Sequence, residues 1–150
     1  MRNLFFLFLS TALFISCSKN IEPIVYGEEV CEFCSMTIVD QTHSAQIVTQ
    51  KGKNHKFDSS ECMIQYIDNE LEEDELMHVL SANYLNPGEL VNAKEATFLV
   101  SENIPSPMGG FLTALENEED AEKVKEDSGG ELYDWKEIQD YILNQNPLQP

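Results

Sequence analysis

Three sulfur-bearing residues within six positions, in "CEFCSM" from Cys31 to Met36, constrain this chain more than any other feature. Thiols at this spacing occur in redox pairs and in zinc knuckles, and a nearby thioether also suits softer metals. These three kinds of site need different surroundings in the sequence. The rest of the chain therefore decides which chemistry the motif carries.

The first 16 residues have the pattern of a secretory leader. Arg2 precedes an apolar run from Leu4 to Ile15, which is shorter than the roughly 20 residues a membrane-spanning helix needs. A small residue, Ser16, then precedes Cys17, as in a bacterial lipobox. We predict a lipoprotein signal peptide over 1–16, a lipid attached to Cys17, and a mature chain on the periplasmic side, anchored to the cell envelope membrane. A simple cleaved signal and an uncleaved anchor are the alternatives.

The mature chain is strongly acidic. It retains eight basic residues, all lysine, against 27 acidic ones, and its net charge is −19. Phosphate backbones and anionic lipid surfaces repel such a chain, so we expect no nucleic-acid partner. A cationic ligand or a basic protein surface fits this charge better.

The mature length suits one domain with a hydrophobic core. We expect a lipidated N-terminus and tether over 17–29, a domain over 30–143 with halves of about 30–80 and 95–143, and a tail over 144–150. The β-branched runs "MTIVD", "SAQIVTQ", "EATFLVS" and "GFLTALE" predict strands, and helices follow each pair. The predicted fold class is α+β, with two related β–β–α units in one compact domain.

Two helix starts resemble each other, "KFDSSECMIQYI" and "LYDWKEIQDYI", and this likeness favours a duplication. In the first helix Asp58 or Ser59 is the predicted cap, and Met63 lies on the predicted core face. Cys62 on the same helix is more typical of a small buried apolar residue than of a ligand.

Two interpretations of the motif lack support nearby. A redox pair of Cys31 and Cys34 needs a helix directly after it, but "SMTIVD" is strand-like. A structural zinc site needs a second knuckle, although Cys62, His43 and His55 could be recruited singly. His55 lies in a lysine-rich turn, where a solvated histidine is the ordinary finding. The redox protein remains the main alternative.

A soft-metal site uses the methionines. Thiolate and thioether donors select Cu(I), and Cys34 and Met36 would share one face of a strand. Met108 lies in the Pro/Gly turn "PSPMGG", without the apolar periodicity of a core position. We predict Cys34, Met36 and Met108 as ligands of Cu(I).

Three further residues are candidates for completing this site: Cys31, His43 and Cys62. A disulfide between Cys31 and Cys62, which would leave Cys34 free for metal, is a further alternative. Nothing in the chain has the pattern of a catalytic motif, with no G-x-S-x-G and no phosphate-cradling loop. We therefore predict a protein that is not an enzyme.

Over residues 28–143 the chain resembles the NosL family of nitrous oxide reductase accessory lipoproteins. The stretches that carry this resemblance are the "CEFCSM" motif, "HSAQIV", "KFDSSECMIQYI", the Pro-Met-Gly turn and a final Gly-Gly. The resemblance implies a periplasmic, membrane-tethered Cu(I) chaperone that works in nitrous oxide reductase maturation during denitrification, with a membrane ABC-type transporter complex. It also implies Cys34, Met36 and Met108 as ligands. Ser35 stands where the family usually has Gly, which should alter the local turn more than the donor set.

Overall fold

This computed structural model describes residues 20–144. The predicted signal peptide and the predicted lipid attachment at Cys17 lie outside the described residues. Within 20–144, no helix has both the length and the apolar character needed to cross a membrane.

The first half of the domain contains a four-stranded antiparallel sheet. Its strands are β1 (Ala45–Thr49), β2 (Asn54–Phe57), β3 (Leu76–Ala82) and β4 (Leu90–Asn92), in the spatial order β2-β1-β3-β4. Helix α1 (Ser60–Glu70) connects β2 to β3 and packs against β1 and β2. A short 3-10 turn (Glu73–Glu75) leads from the helix into β3.

The second half contains a three-stranded antiparallel sheet. Its strands are β5 (Thr97–Val100), β6 (Leu112–Leu115) and β7 (Glu131–Tyr133), in the spatial order β6-β5-β7. Helix α2 (Glu118–Ser128) connects β6 to β7, and α3 (Trp135–Asn144) follows β7.

The two halves share one topology, which confirms the predicted α+β class with two related β–β–α units. In each half two antiparallel strands precede a helix, and a third strand then pairs with the first. The topological equivalent of α1 is therefore α2. The sequence similarity that suggested a duplication lies between the starts of α1 and α3. These two helices are not topologically equivalent, so this part of the prediction was wrong.

Local capping explains where the helices begin. Ser59 is extended and its side chain accepts a hydrogen bond from the Cys62 backbone amide at 3.3 Å, which makes it the cap of α1. Asp134 and Glu137 exchange side-chain and backbone hydrogen bonds of 2.8 and 3.0 Å before α3, as in a capping box. Because Ser59 does the capping, the Asp58 side chain is free for another contact.

A shared hydrophobic core joins the halves. The largest fully buried side chains include Phe57 and Met63 from the first half and Phe98 and Ile138 from the second, which confirms Met63 as a core residue. Burying each such side chain contributes on the order of 2 kcal/mol. Because one core spans both halves, it fixes the loops of the second half relative to α1.

The strand predicted for "MTIVD" is wrong. Only a single bridge, between Val30 and Thr37, forms there, and Ser35 has φ 62, in the left-handed region. A strand cannot pass through that conformation. Cys34 and Met36 therefore do not share a strand face, and the prediction that a strand directs both sulfurs to one side is wrong.

Candidate metal centre

The "CEFCSM" segment folds as a tight loop. The Cys31 amide donates to the Met36 carbonyl at 2.8 Å, and the Ser35 amide donates to the Cys31 carbonyl at 2.9 Å. The Glu32 amide donates to the Lys56 carbonyl at 3.0 Å, which fastens the loop to β2. The positive φ of Ser35 closes the loop. Serine here takes a conformation that glycine favours.

Four donor groups meet beside this loop. The thiol sulfurs of Cys31, Cys34 and Cys62 and a carboxylate oxygen of Asp58 all lie within 4.8 Å of one another. Two of these residues come from the loop, while Asp58 follows β2 and Cys62 lies in the first turn of α1. The three cysteines are free thiols. We refer to this cluster of three cysteines and one aspartate as the thiol group.

The thiol group is buried except at one residue. Cys31, Cys62 and Asp58 are 1%, 0% and 2% exposed, whereas Cys34 is partly exposed. Met36, two residues further along the chain, is 51% exposed. An ion held by these thiols would therefore be reached from the Cys34 side.

The Asp58 carboxylate is only partly satisfied. Cys34 Sγ donates to Asp58 Oδ2 at 3.5 Å, while Asp58 Oδ1 has no hydrogen-bond partner in the described part of the chain. A buried oxygen of this kind costs roughly 1–3 kcal/mol when it is left unpaired. Hydrophobic packing alone therefore does not explain why a carboxylate lies at this buried position.

The three thiols differ in acidity. A hydrogen bond from Cys62 lowers the pKa of the Cys31 thiol to about 7. Burial raises the pKa of Cys34 to about 11, and the hydrogen bond to Cys31 raises the pKa of Cys62. Cys31 is thus the thiol that ionises first, and a cation among the three would favour ionisation of the others.

The spacing of the thiol group fits a metal ion. Metal–thiolate bonds of about 2.3 Å place sulfurs about 3.8 Å apart around a tetrahedral ion. The 4.8 Å limit on the separations of the donor atoms accommodates that spacing with small side-chain movements. Three sulfurs among four donors make the set predominantly soft, which suits a thiophilic ion.

The two predicted thioether ligands lie in different settings. Met36 is exposed at the end of the thiol-bearing loop, and Met108 is partly buried and packs against the main core. Met108 lies in the loop of residues 101–111, between β5 and β6. Ser106 in this loop donates a hydrogen bond to Glu61, the residue before Cys62.

Within residues 20–144, no histidine joins the thiol group. His43 is buried, with Nδ1 2.9 Å from Asp40 Oδ2 and Nε2 3.5 Å from Thr113 Oγ1. His55, expected to be solvated, is instead 4% exposed and lies 2.8 Å from Glu32. Both rings therefore have other partners.

Two members of the thiol group, Asp58 and Cys62, were not among the main ligands predicted from the sequence. Asp58 was considered only as a helix cap, and Cys62 mainly as a small apolar residue. Asp58 directly precedes the cap Ser59, and Cys62 lies in the first turn of α1, so their closeness in sequence was the available signal.

The alternative of a redox pair finds little support in this geometry. Cys31 has the lowered pKa but is 1% exposed, whereas the more accessible Cys34 has a raised pKa. A reactive redox cysteine combines low pKa with access. Residues 31–36 also form a loop and not the start of a helix.

Comparison with known proteins identifies relatives of the chain. The model of the NosL family matches residues 24–143. Among solved structures, the crystal structure of the copper chaperone NosL from Shewanella denitrificans superposes with a TM-score of 0.68 at 22% sequence identity, covering 80% of this chain and 96% of that chain. No curated protein matches the sequence. The structural likeness extends over almost the whole of the described fold.

Proposed function

The chain belongs to the NosL family, and on that premise we propose that it is a Cu(I)-binding chaperone and not an enzyme. The observation that carries the proposal is the grouping of three thiols within 4.8 Å, with Cys34 partly exposed. Soft sulfur donors select Cu(I) over harder ions. A copper chaperone is also what the structurally similar protein is described to be.

Cys34 is the central ligand in this proposal. It belongs to the thiol group and is also its most accessible member, so it can hold the ion while a partner approaches. Met36, two residues along the chain, supplies an exposed thioether, and Met108 would supply a second thioether from the loop of residues 101–111. Cys31 and Cys62 are close enough to Cys34 to contribute thiolates.

The exposure pattern suits delivery. A chaperone must release its ion, and a partner's donors can replace accessible ligands one at a time without exposing bare copper. Cys34 and Met36 lie at such an accessible edge, whereas Cys31 and Cys62 are buried. Capture by the buried thiols and release through the exposed pair would occur at one site.

We further propose the setting of this activity. The leader and Cys17 support a lipid-anchored protein outside the cytoplasm, on the periplasmic side of the cell envelope. The clients proposed from family resemblance are nitrous oxide reductase or a similar copper enzyme, with a membrane ABC-type transporter complex as partner. The acidic charge would favour a basic docking patch and speed encounter.

An anaerobic competition titration tests the copper proposal. The reduced full-length protein is titrated with Cu(I) against a chromogenic Cu(I) chelator, with Zn(II) in parallel. We expect tight binding of one Cu(I) per chain, and a much weaker complex in Cys34→Ser. His78→Ala is the control, because His78 lies on β3 outside the thiol group. Tighter binding of zinc than of Cu(I), or no binding of either, would overturn the proposal.

A further inference from the structure

One side chain, Glu61, lies against both flanks of the loop that carries Met108. On one flank Ser106 Oγ donates a hydrogen bond to Glu61 Oε1. On the other, the Gly110 backbone lies so close that a Cβ at that position would be 2.8 Å from the same oxygen. Ser106 and Gly110 each lie two residues from Met108, so Glu61 packs against the loop on both sides of Met108.

The burial of Glu61 makes this contact notable. Glu61 is fully buried, and its Oε2 has no hydrogen-bond partner within residues 20–144. Burial raises the pKa of the Glu61 carboxyl above its ordinary value. A buried carboxyl group destabilises a fold relative to an apolar side chain of similar size, so hydrophobic packing does not account for this residue.

Glu61 also adjoins the thiol group along the chain. The next residue, Cys62, belongs to that group, and both lie in the first turn of α1. The first turn of α1 therefore contributes one thiol and also holds the thioether-bearing loop. A shift of the loop against α1 would change the position of Met108 relative to the thiols.

We propose that Glu61 is a positioning residue that sets Met108 relative to the thiol group for Cu(I) binding. The inference rests on the proposed function, since the position of Met108 matters only if its thioether binds the ion. Ser106 and Gly110 are the contacts through which Glu61 acts. Glu61 itself need not touch copper.

The metal-free protein provides the first test. The Gly109 amide donates to the Ser106 carbonyl at 3.0 Å, so its hydrogen exchange reports on the order of the loop. Ser106→Ala should speed exchange at Gly109 roughly tenfold, the effect of losing one buried hydrogen bond. Ser60→Ala is the matched control. Ser60 is also a buried serine, it lies in the same helical turn as Glu61, and its hydroxyl bonds to Ser81 and not to Glu61. Unchanged exchange in Ser106→Ala would overturn the proposal.

Copper affinity provides the second test, as a double-mutant cycle. Ser106→Ala and Gly110→Ala should each weaken Cu(I) binding roughly tenfold, the lower end of the effect of losing a supporting contact at a metal site. In a Met108→Leu background the same changes should have no further effect, because the group they position is gone. Glu61→Gln should stay close to the unmodified protein, since Gln still offers an oxygen to Ser106.

The outcomes separate this inference from the proposed function. Equal losses with and without Met108 would mean that the loop contacts are structural only, and would overturn the positioning role while leaving copper binding intact. Failure of the unmodified protein to bind Cu(I) would overturn both. Faster exchange at Gly109 together with a non-additive cycle is the result that supports the inference.

Discussion

Cys34 Sγ donates a hydrogen bond to Asp58 Oδ2 at 3.5 Å, and this contact joins the "CEFCSM" loop to the residue before the cap of α1. It connects the most accessible thiol of the group to a buried carboxylate. Loss of the Cys34 proton would place two negative charges beside each other. The negative charge of Asp58 therefore adds to the effect of burial, which is the main reason that the pKa of Cys34 is raised.

Replacement of Asp58 tests this relationship. Burial is the main cause of the raised pKa of Cys34, about 11, and the charge of Asp58 raises it further. Asp58→Asn should lower the pKa of Cys34 and speed its alkylation at a fixed, mildly alkaline pH, measured by mass spectrometry of the reduced protein. Asp40→Asn is the control, because Asp40 contacts His43 and not the thiols. An unchanged alkylation rate in Asp58→Asn would contradict the account.

The stability of the reduced, metal-free protein should depend on pH through Cys31. The pKa of Cys31 is about 7 in the folded protein and higher in the unfolded chain, so its contribution is fully present above about pH 9 and is lost as the pH falls through about 7. The raised pKa of Cys34 acts oppositely, and lowers stability above about pH 9. Urea unfolding at several pH values should show a rise between about pH 7 and 9, and Cys31→Ser should abolish it. A rise that persists in Cys31→Ser would assign it to another group.

Ser35→Gly should stabilise the protein. Ser35 has φ 62, a conformation that costs a non-glycine residue about 1 kcal/mol. Relief of this cost, partly offset by the greater freedom of glycine in the unfolded chain, predicts a gain of up to about 1 kcal/mol in the free energy of unfolding. The reverse change, Gly27→Ser at φ 85 in open space, should lose a similar amount. A loss of stability in Ser35→Gly would show that the serine side chain makes a necessary contact.

Met36→Leu should separate copper binding from folding. Met36 is 51% exposed, so replacing it with another apolar residue should change the free energy of unfolding by less than about 0.5 kcal/mol. Loss of the thioether should weaken Cu(I) binding in the chelator titration. Met77→Leu, at another partly exposed methionine, is the matched control and should bind like the unmodified protein. Equal affinities in the two variants would remove Met36 from the ligand set.

Much of the fold could be predicted from the sequence, because the local sequence patterns agree with the tertiary structure. The runs around Ala45, Phe98 and Leu112 form strands where β-branched and apolar residues predict them, and Ser59 caps its helix as expected. The strand expected after Cys34 failed because the backbone turns at Ser35. A loop closed by a positive φ at a serine has no strong signature in composition.

The candidate site could be predicted only in part from the sequence, for a related reason. Cys31, Cys34 and Met36 are close in sequence, and their chemistry was visible there. Asp58 and Cys62 join them only because β2 and α1 fold back beside the loop, a long-range contact that residue spacing does not contain. The contact between Ser106 and Glu61 spans 45 positions and could not be predicted at all.

Copper X-ray absorption on the Cu(I)-loaded, full-length protein tests the central claim most directly. The account predicts Cu(I) with a coordination shell of sulfur alone, and a loss of sulfur ligands or of bound copper in Cys34→Ser. A shell dominated by nitrogen or oxygen in the unmodified protein, or an unchanged sulfur shell in Cys34→Ser, would contradict it.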